Sequence, residues 1–217
     1  MSKKIAVILS GSGVYDGSEI HEAVLTLLRL DQLGATVQCF APDIKQHHVI
    51  NHLTGEEMPE TRNVLVESAR IARGNCKAVT ELTAAEFDAV ILPGGFGAAK
   101  NLSDFAFNGT NCTVEPATLA AVQSFVAAGK VVGLMCIAPA LAAKFFGQGV
   151  LCTIGSDPAT AEALEQMGAQ HQTCTVDALV IDEQNNLVTT PAYMLAENIS
   201  QAAEGIFALV DEVVKRA

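Results

Sequence analysis

Val131-Val132-Gly133-Leu134-Met135-Cys136-Ile137-Ala138-Pro139-Ala140 is the stretch whose reading decides the fold. The apolar run to Met135 reads as a strand buried on both faces, and a helical pattern starts almost at once after Cys136. That spacing predicts a thiol on a tight turn at the carboxyl end of a strand, beside a helix N-terminus. Backbone N–H groups and the helix dipole there favour thiolate over thiol. Ligands of open α/β sheets bind outside the carboxyl ends of the strands, so the position suits a site. A free cysteine also serves as a small buried hydrophobe, and these ten residues alone leave both readings open.

Outward from this stretch the chain alternates strand and helix patterns. Ile5–Leu9 reads as a buried strand, Ser10 to Ser18 as a Gly-Ser loop, and Glu19 to Leu33 as a helix stopped by Gly34. Thr36–Phe40 reads as the next strand, a β-α-β opening that predicts a parallel sheet with a right-handed crossover. The segment 44–74 breaks the alternation, with a helix expected from about Pro59 to Ala72. Phe87–Leu92 reads as a strand running into Pro93-Gly94-Gly95, whose glycines permit close backbone approach and bare N–H groups facing an oxyanion. A helix is expected over Val114–Ala128, another from about Ala138 to Phe146, and a third from Asp157 to Met167. Strands are expected at Leu151–Ile154, Thr173–Val176, Leu179–Asp182 and Leu187–Thr190, and a final helix from Tyr193 to about Lys215. No repeat or second domain is evident, so residues 1–217 read as one domain.

Composition narrows the function classes. Half the 217 residues are hydrophobic, ample for one core, and the formal charge of −11 argues against nucleic acid and anionic membrane surfaces. No apolar run reaches the roughly 20 residues that span a bilayer, and Ile5–Leu9 is too short for a signal peptide. Six cysteines are scattered singly, without a C-x-x-C pair, which points to reduced thiols and a cytoplasmic chain. Gly11-Ser12-Gly13-Val14-Tyr15-Asp16 misses the dinucleotide fingerprint, because Asp16 stands where its third glycine belongs. His48 and His52 would share a helix face, but no H-E-x-x-H pattern accompanies them and no metal is expected.

Pro93-Gly94-Gly95 and Met135-Cys136-Ile137-Ala138-Pro139, with an acid after the first strand, resemble the ThiJ/PfpI superfamily. The resemblance covers most of the chain in the right order. Ser10–Ala23, Asn51–Gly55, Phe96–Asn101 and Thr189–Met194 resemble more narrowly the branch associated by name with isoprenoid biosynthesis. The resemblance implies the class I glutamine-amidotransferase-like fold, a flavodoxin-like three-layer sandwich with a mostly parallel central sheet. Residues 44–74 would then be a family-specific insertion, and a homodimer is implied.

The activity implied is that of a cofactor-free, glutathione-independent glyoxalase converting glyoxal or related 2-oxoaldehydes to 2-hydroxy acids. Cys136 would be the nucleophile, and N–H groups near Gly94, Gly95 and Ile137 would stabilise the oxyanion. The acid beside the thiol maps to Glu19, with Glu22 one turn later and His21 as alternatives. Histidine, which many members place directly after the cysteine or about twenty residues on, is absent at both places. Weak or narrow activity is therefore expected, and an amidotransferase triad is unsupported. A redox-sensing or binding protein with a reactive cysteine, or a protein deglycase, remains the alternative.

Overall fold

Along β1 (Lys4–Ile8) side chains alternate between two cores: Ile5 and Val7 enter one apolar cluster, Ala6 and Ile8 another. The same alternation runs through β4 (Ala89–Leu92) and β5 (Val131–Met135), both wholly buried. Strands so buried need helices on both faces, which is why their sequences read as continuous apolar runs. The computed structural model describes residues 2–217. It has the flavodoxin-like, class I glutamine-amidotransferase-like architecture, with a mostly parallel sheet between helices.

The remaining strands are β2 (Thr36–Ala41), β3 (Cys76–Ala78), β6 (Leu151–Cys152), β7 (Gln170–His171), β8 (Val180–Asp182) and β9 (Leu187–Thr190). The seven-stranded sheet runs β3-β2-β1-β4-β5-β9-β8, and only β8 is antiparallel to its neighbour. The helices are α1 (Ile20–Gln32), α2 (Val64–Ile71), α3 (Phe96–Lys100), α4 (Phe105–Asn108), α5 (Pro116–Ala127), α6 (Ala142–Phe146), α7 (Pro158–Gln166) and α8 (Ile199–Arg216). α1 and α8 cover one face of the sheet, α5 and α6 the other. Gly133 lets α8 lie close on β5: a Cβ there would sit 3.0 Å from atoms of Leu209 and Val213.

Several expected elements take a different form. Residues 173–176 are not a strand. The chain instead pairs Gln170–His171 with Leu151–Cys152 and turns away, the Ala178 N–H bonding to the Thr175 carbonyl. The final helix is broken after a 3-10 turn at Ala192–Met194 and restarts at Ile199, where the Asn198 side chain caps it by accepting from the Gln201 N–H. In the 44–74 segment α2 begins at Val64, capped by Asn63, and forms the crossover from β2 to the short edge strand β3. Residues 44–58 form no helix, so His48 and His52 do not share a helical face.

The carboxyl ends of β1, β4 and β5 converge. From them leave the loop to Ser18, the Pro93-Gly94-Gly95 turn and Cys136. Leu209, fully buried between α8 and the sheet, carries much of the packing beneath this convergence. Leu209→Ala is expected to lower stability by about 2–5 kcal/mol. Urea denaturation should show a reduced midpoint with an unchanged slope.

Candidate active site

Cys136 has φ +59°, a left-handed conformation rare for a residue with a side chain. Its N–H continues the β5–β9 pairing by donating to the Thr190 carbonyl at 3.0 Å, so the strand holds the strained residue in place. The turn passes directly into a 3-10 helix, Ala138–Leu141, with Pro139 at its start.

The acid beside the thiol is Glu22, not Glu19. Glu22 is fully buried in the first turn of α1, and its carboxyl lies beside the Cys136 thiol, the Glu22 Oε2 and the Cys136 Sγ each 2.9 Å from the point that a Cβ on Gly94 would occupy. Its Oε2 accepts the Gly94 N–H at 2.8 Å and its Oε1 the Tyr193 N–H at 3.2 Å. Glu19 is the N-cap of α1, accepting the Glu22 N–H at 2.7 Å, while its own N–H donates to the Gly94 carbonyl at 3.0 Å. It lines the cavity above the thiol instead of contacting sulfur from below. The separation follows from helix geometry: a cap residue stays outside the first turn, whereas Glu22, with Thr26 and Leu30, faces the sheet.

Burial, followed by the charge of Glu19, raises the Glu22 pKa from 4.5 to about 7, against the opposing hydrogen bonds from Cys136, Tyr193 and Gly94. Burial first, and then the Glu22 charge, pushes the Cys136 thiol well above its ordinary range, although the Gly95 and Ile137 N–H groups pull it down. The sequence argument from the helix dipole favoured a thiolate. Desolvation and a neighbouring acid act against it and favour the thiol form.

The glycine turn also divides its labour. The Gly94 N–H is committed to Glu22, which removes it from the expected oxyanion donors. The Gly95 and Ile137 N–H groups lie near enough to the sulfur to lower its pKa. A Cβ on Gly94 would lie 2.5 Å from the Cys136 Cβ and 2.9 Å from both Sγ and the Glu22 Oε2. Gly95 has φ +91°, and a Cβ there would meet the Glu19 nitrogen at 2.3 Å. Neither position admits another residue without moving the site.

Above the sulfur lies a cavity of about 380 Å³ with mainly apolar walls, among them Phe96, Phe105, Ile137 and Met194. A more open depression of about 670 Å³ lies around Ser156 and Cys174 and does not include Cys136. His21 does not reach the thiol; its Nδ1 lies 2.7 Å from the hydroxyl of Tyr193, which lines the cavity. Among the described residues no cluster of three His, Cys, Asp or Glu side chains is placed to hold a metal ion. The Ser10–Ser18 loop is tied to the arm that precedes α2. Asp16 is buried in it, its carboxylate accepting the Ile50 N–H at 2.7 Å, and His52 accepts the Tyr15 N–H at 3.2 Å.

The DJ-1/PfpI family model matches residues 3–200. The chain belongs to the DJ-1/PfpI family. A human relative, glutamine amidotransferase-like class 1 domain-containing protein 3, mitochondrial, is 47% identical over 222 residues, covering 98% of this chain and 82% of that protein. The mitochondrial ES1 protein homolog of Rattus norvegicus is 46% identical, covering 98% and 83%. Among solved structures, an isoprenoid biosynthesis protein with amidotransferase-like domain from Ehrlichia chaffeensis superposes with TM-score 0.93 at 37% identity over 99% of both chains. Drosophila melanogaster DJ-1beta, at 20% identity and TM-score 0.60 over 99% of this chain and 91% of that one, shares the fold.

Within this DJ-1/PfpI frame, sequence reasoning assigned Cys136 and the glycine turn their places but missed Tyr193. No local signal separated Glu22 from Glu19, because Ile20, Val24 and Leu28, apolar positions that mark the helix in the sequence, lie on its exposed face while Glu22, Thr26 and Leu30 face the core. Tyr193 carried no signal either, because its place depends on a backbone turn.

Two outcomes follow from this geometry. Gly94→Ala is expected to destabilise the fold by about 1–3 kcal/mol through overpacking, and to separate thiol from carboxyl, read as a changed pH dependence of iodoacetamide alkylation. The second concerns pH. Folded Glu22 titrates near 7 against 4.5 unfolded, so the native state binds more protons between those values. Its contribution, about 3 kcal/mol, is fully present below 4.5 and is lost as pH rises through about 7. Urea midpoints should therefore fall from pH 5 to pH 8 in the wild type and much less in Glu22→Gln. Identical pH profiles in the two proteins would refute the assignment.

Proposed function

We propose that the chain is a glutathione-independent glyoxalase-type enzyme acting on glyoxal or a related small, uncharged 2-oxoaldehyde. The observation that carries this reading is the Glu22–Cys136 pair, a buried carboxyl with its pKa raised to about 7 set beside a buried thiol across Gly94. Such a pair supplies a general base where histidine is missing from both motif positions.

In the proposed sequence the Glu22 carboxylate takes the thiol proton as sulfur bonds to the aldehyde carbon. The carbonyl electron pair moves to oxygen, which lies against the Gly95 and Ile137 N–H groups and then takes that proton back, giving a hemithioacetal. The regenerated carboxylate removes the hydrogen on the thiol-bearing carbon, forming an enediol that is reprotonated at the neighbouring carbon. That carbon is reduced and the first oxidised, so no external redox partner is needed. Water hydrolyses the resulting 2-hydroxy thioester, releasing the hydroxy acid and free thiol.

The cavity walls support an uncharged substrate. No lysine or arginine lines them, so an amino acid such as glutamine would find no partner for its carboxylate there. The isoprenoid link rests on the name of the Ehrlichia chaffeensis relative, and is proposed here as the biological setting. Six unpaired thiols support a reducing compartment, the cytoplasm or equally the mitochondrial interior named for the human and rat relatives. Among the described residues no helix is long and apolar enough to cross a membrane.

Incubation with glyoxal should yield glycolate, measured by chromatography. Cys136→Ser and Glu22→Gln should each lower kcat/KM about 100-fold or more while retaining the wild-type circular dichroism spectrum. Because the base form of Glu22 is required, kcat/KM should rise with pH through an apparent pKa near 7. A folded wild type that makes no hydroxy acid while Cys136 oxidises readily would replace the enzyme by a redox sensor.

A further inference from the structure

A 2-oxoaldehyde has two oxygens, and the Gly95 and Ile137 N–H groups serve one. The second gathers negative charge as the enediol forms and needs a donor of its own. The cavity offers few. Its polar side chains are Glu19, Thr160 and Tyr193. Glu19 presents a carboxylate already capping α1, and the Thr160 hydroxyl donates to Asp157 at 2.6 Å. That leaves the phenol of Tyr193.

Its placement is built, not incidental. Tyr193 follows Ala192, a buried residue held at φ +44°. Its N–H is fixed on the Glu22 Oε1, which registers the tyrosine backbone to the acid of the pair. Its hydroxyl is held at 2.7 Å by the Nδ1 of His21, the residue adjacent to that acid on α1. Burial, with the charges of Glu19 and Glu22, raises the phenol above its ordinary pKa and keeps it a donor.

We propose that the Tyr193 hydroxyl orients the substrate's second carbonyl by donating a hydrogen bond to it, and that His21 is the positioning residue that holds this hydroxyl. The inference rests on the 2-oxoaldehyde reading above. With its hydrogen on Nδ1, His21 donates to the phenol oxygen and frees the phenol hydrogen for the cavity. The imidazole absent from the cysteine turn thus acts from behind the cavity lining, through a tyrosine and not on sulfur.

Four variants assayed for glycolate provide the kinetic test: Tyr193→Phe, His21→Ala, their double mutant, and His21→Asn, whose amide can occupy the Nδ1 position. Tyr193→Phe should lower kcat about 10- to 100-fold with KM changed less than about threefold. The double mutant should be no worse than Tyr193→Phe alone, and His21→Asn should recover most of what His21→Ala loses. Wild-type kcat in Tyr193→Phe, or losses that multiply in the double mutant, would overturn the inference.

A second readout needs no turnover. The chain has two tyrosines and no tryptophan, so a Tyr15→Phe, Cys136→Ala protein carries Tyr193 as its sole phenol. Adding glyoxal should shift its near-ultraviolet band, and an unchanged spectrum would count against the phenol. If the wild type produces no glycolate, the glyoxalase reading falls and this spectrum alone decides whether Tyr193 meets a carbonyl.

Discussion

A carboxyl group without water around it must find its hydrogen bonds in the protein, and Glu22 finds partners on three segments: it accepts the Gly94 and Tyr193 N–H groups and lies beside the Cys136 thiol. Those three partners come from the β4 turn, the segment after β9, and the end of β5. Each sits where ordinary sequence resists: Gly94 has no room for a Cβ, Tyr193 follows an alanine at φ +44°, and Cys136 itself is at φ +59°. Satisfying one buried acid thus fixes the relative positions of three strand ends. The fold supplies the platform, and the acid sets its registration.

The same constraint explains the chemistry of the sulfur. A cysteine on a turn before a helix is commonly treated as activated by its surroundings. Here the N–H groups of Gly95 and Ile137 do lower its pKa, but burial and the adjacent acid act more strongly in the other direction. The result is a thiol activated by proton removal at the moment of reaction, not by permanent ionisation. The inert-looking resting state and the proposed nucleophile are the same arrangement.

Much of this was legible in the sequence, and the exceptions share a cause. β5 and β9 match the expected strands residue for residue, β5 because two-face burial leaves an apolar run and β9 because its β-branched Val188, Thr189 and Thr190 suit a strand. Cys136 and the glycine turn were legible for the same reason, lying directly after such runs. What could not be read depended on contacts distant in sequence. The choice of Glu22 over Glu19 needed the phase of α1 against the sheet, and the loss of Gly94 as an oxyanion donor needed that acid's position. The strand expected at Thr173–Val176 has suitable composition but no neighbour to pair with. The arm before α2 shows the limit most plainly: Ile50 and His52 hold the Ser10–Ser18 loop through Asp16 and Tyr15, contacts that no local pattern announces.

The bond between Tyr193 and Glu22 joins residues 171 positions apart. Contacts of such separation close large loops and belong to the last stages of a chain's assembly. While the protein is being made, the first four strands can pair before β9 exists. Until β9 docks beside β5, Cys136 lacks the Thr190 carbonyl that anchors its strained turn and Glu22 lacks one of its donors. Both contacts wait for the segment that is made after α7, so the order of synthesis leaves the anchoring of the site to the last quarter of the described chain.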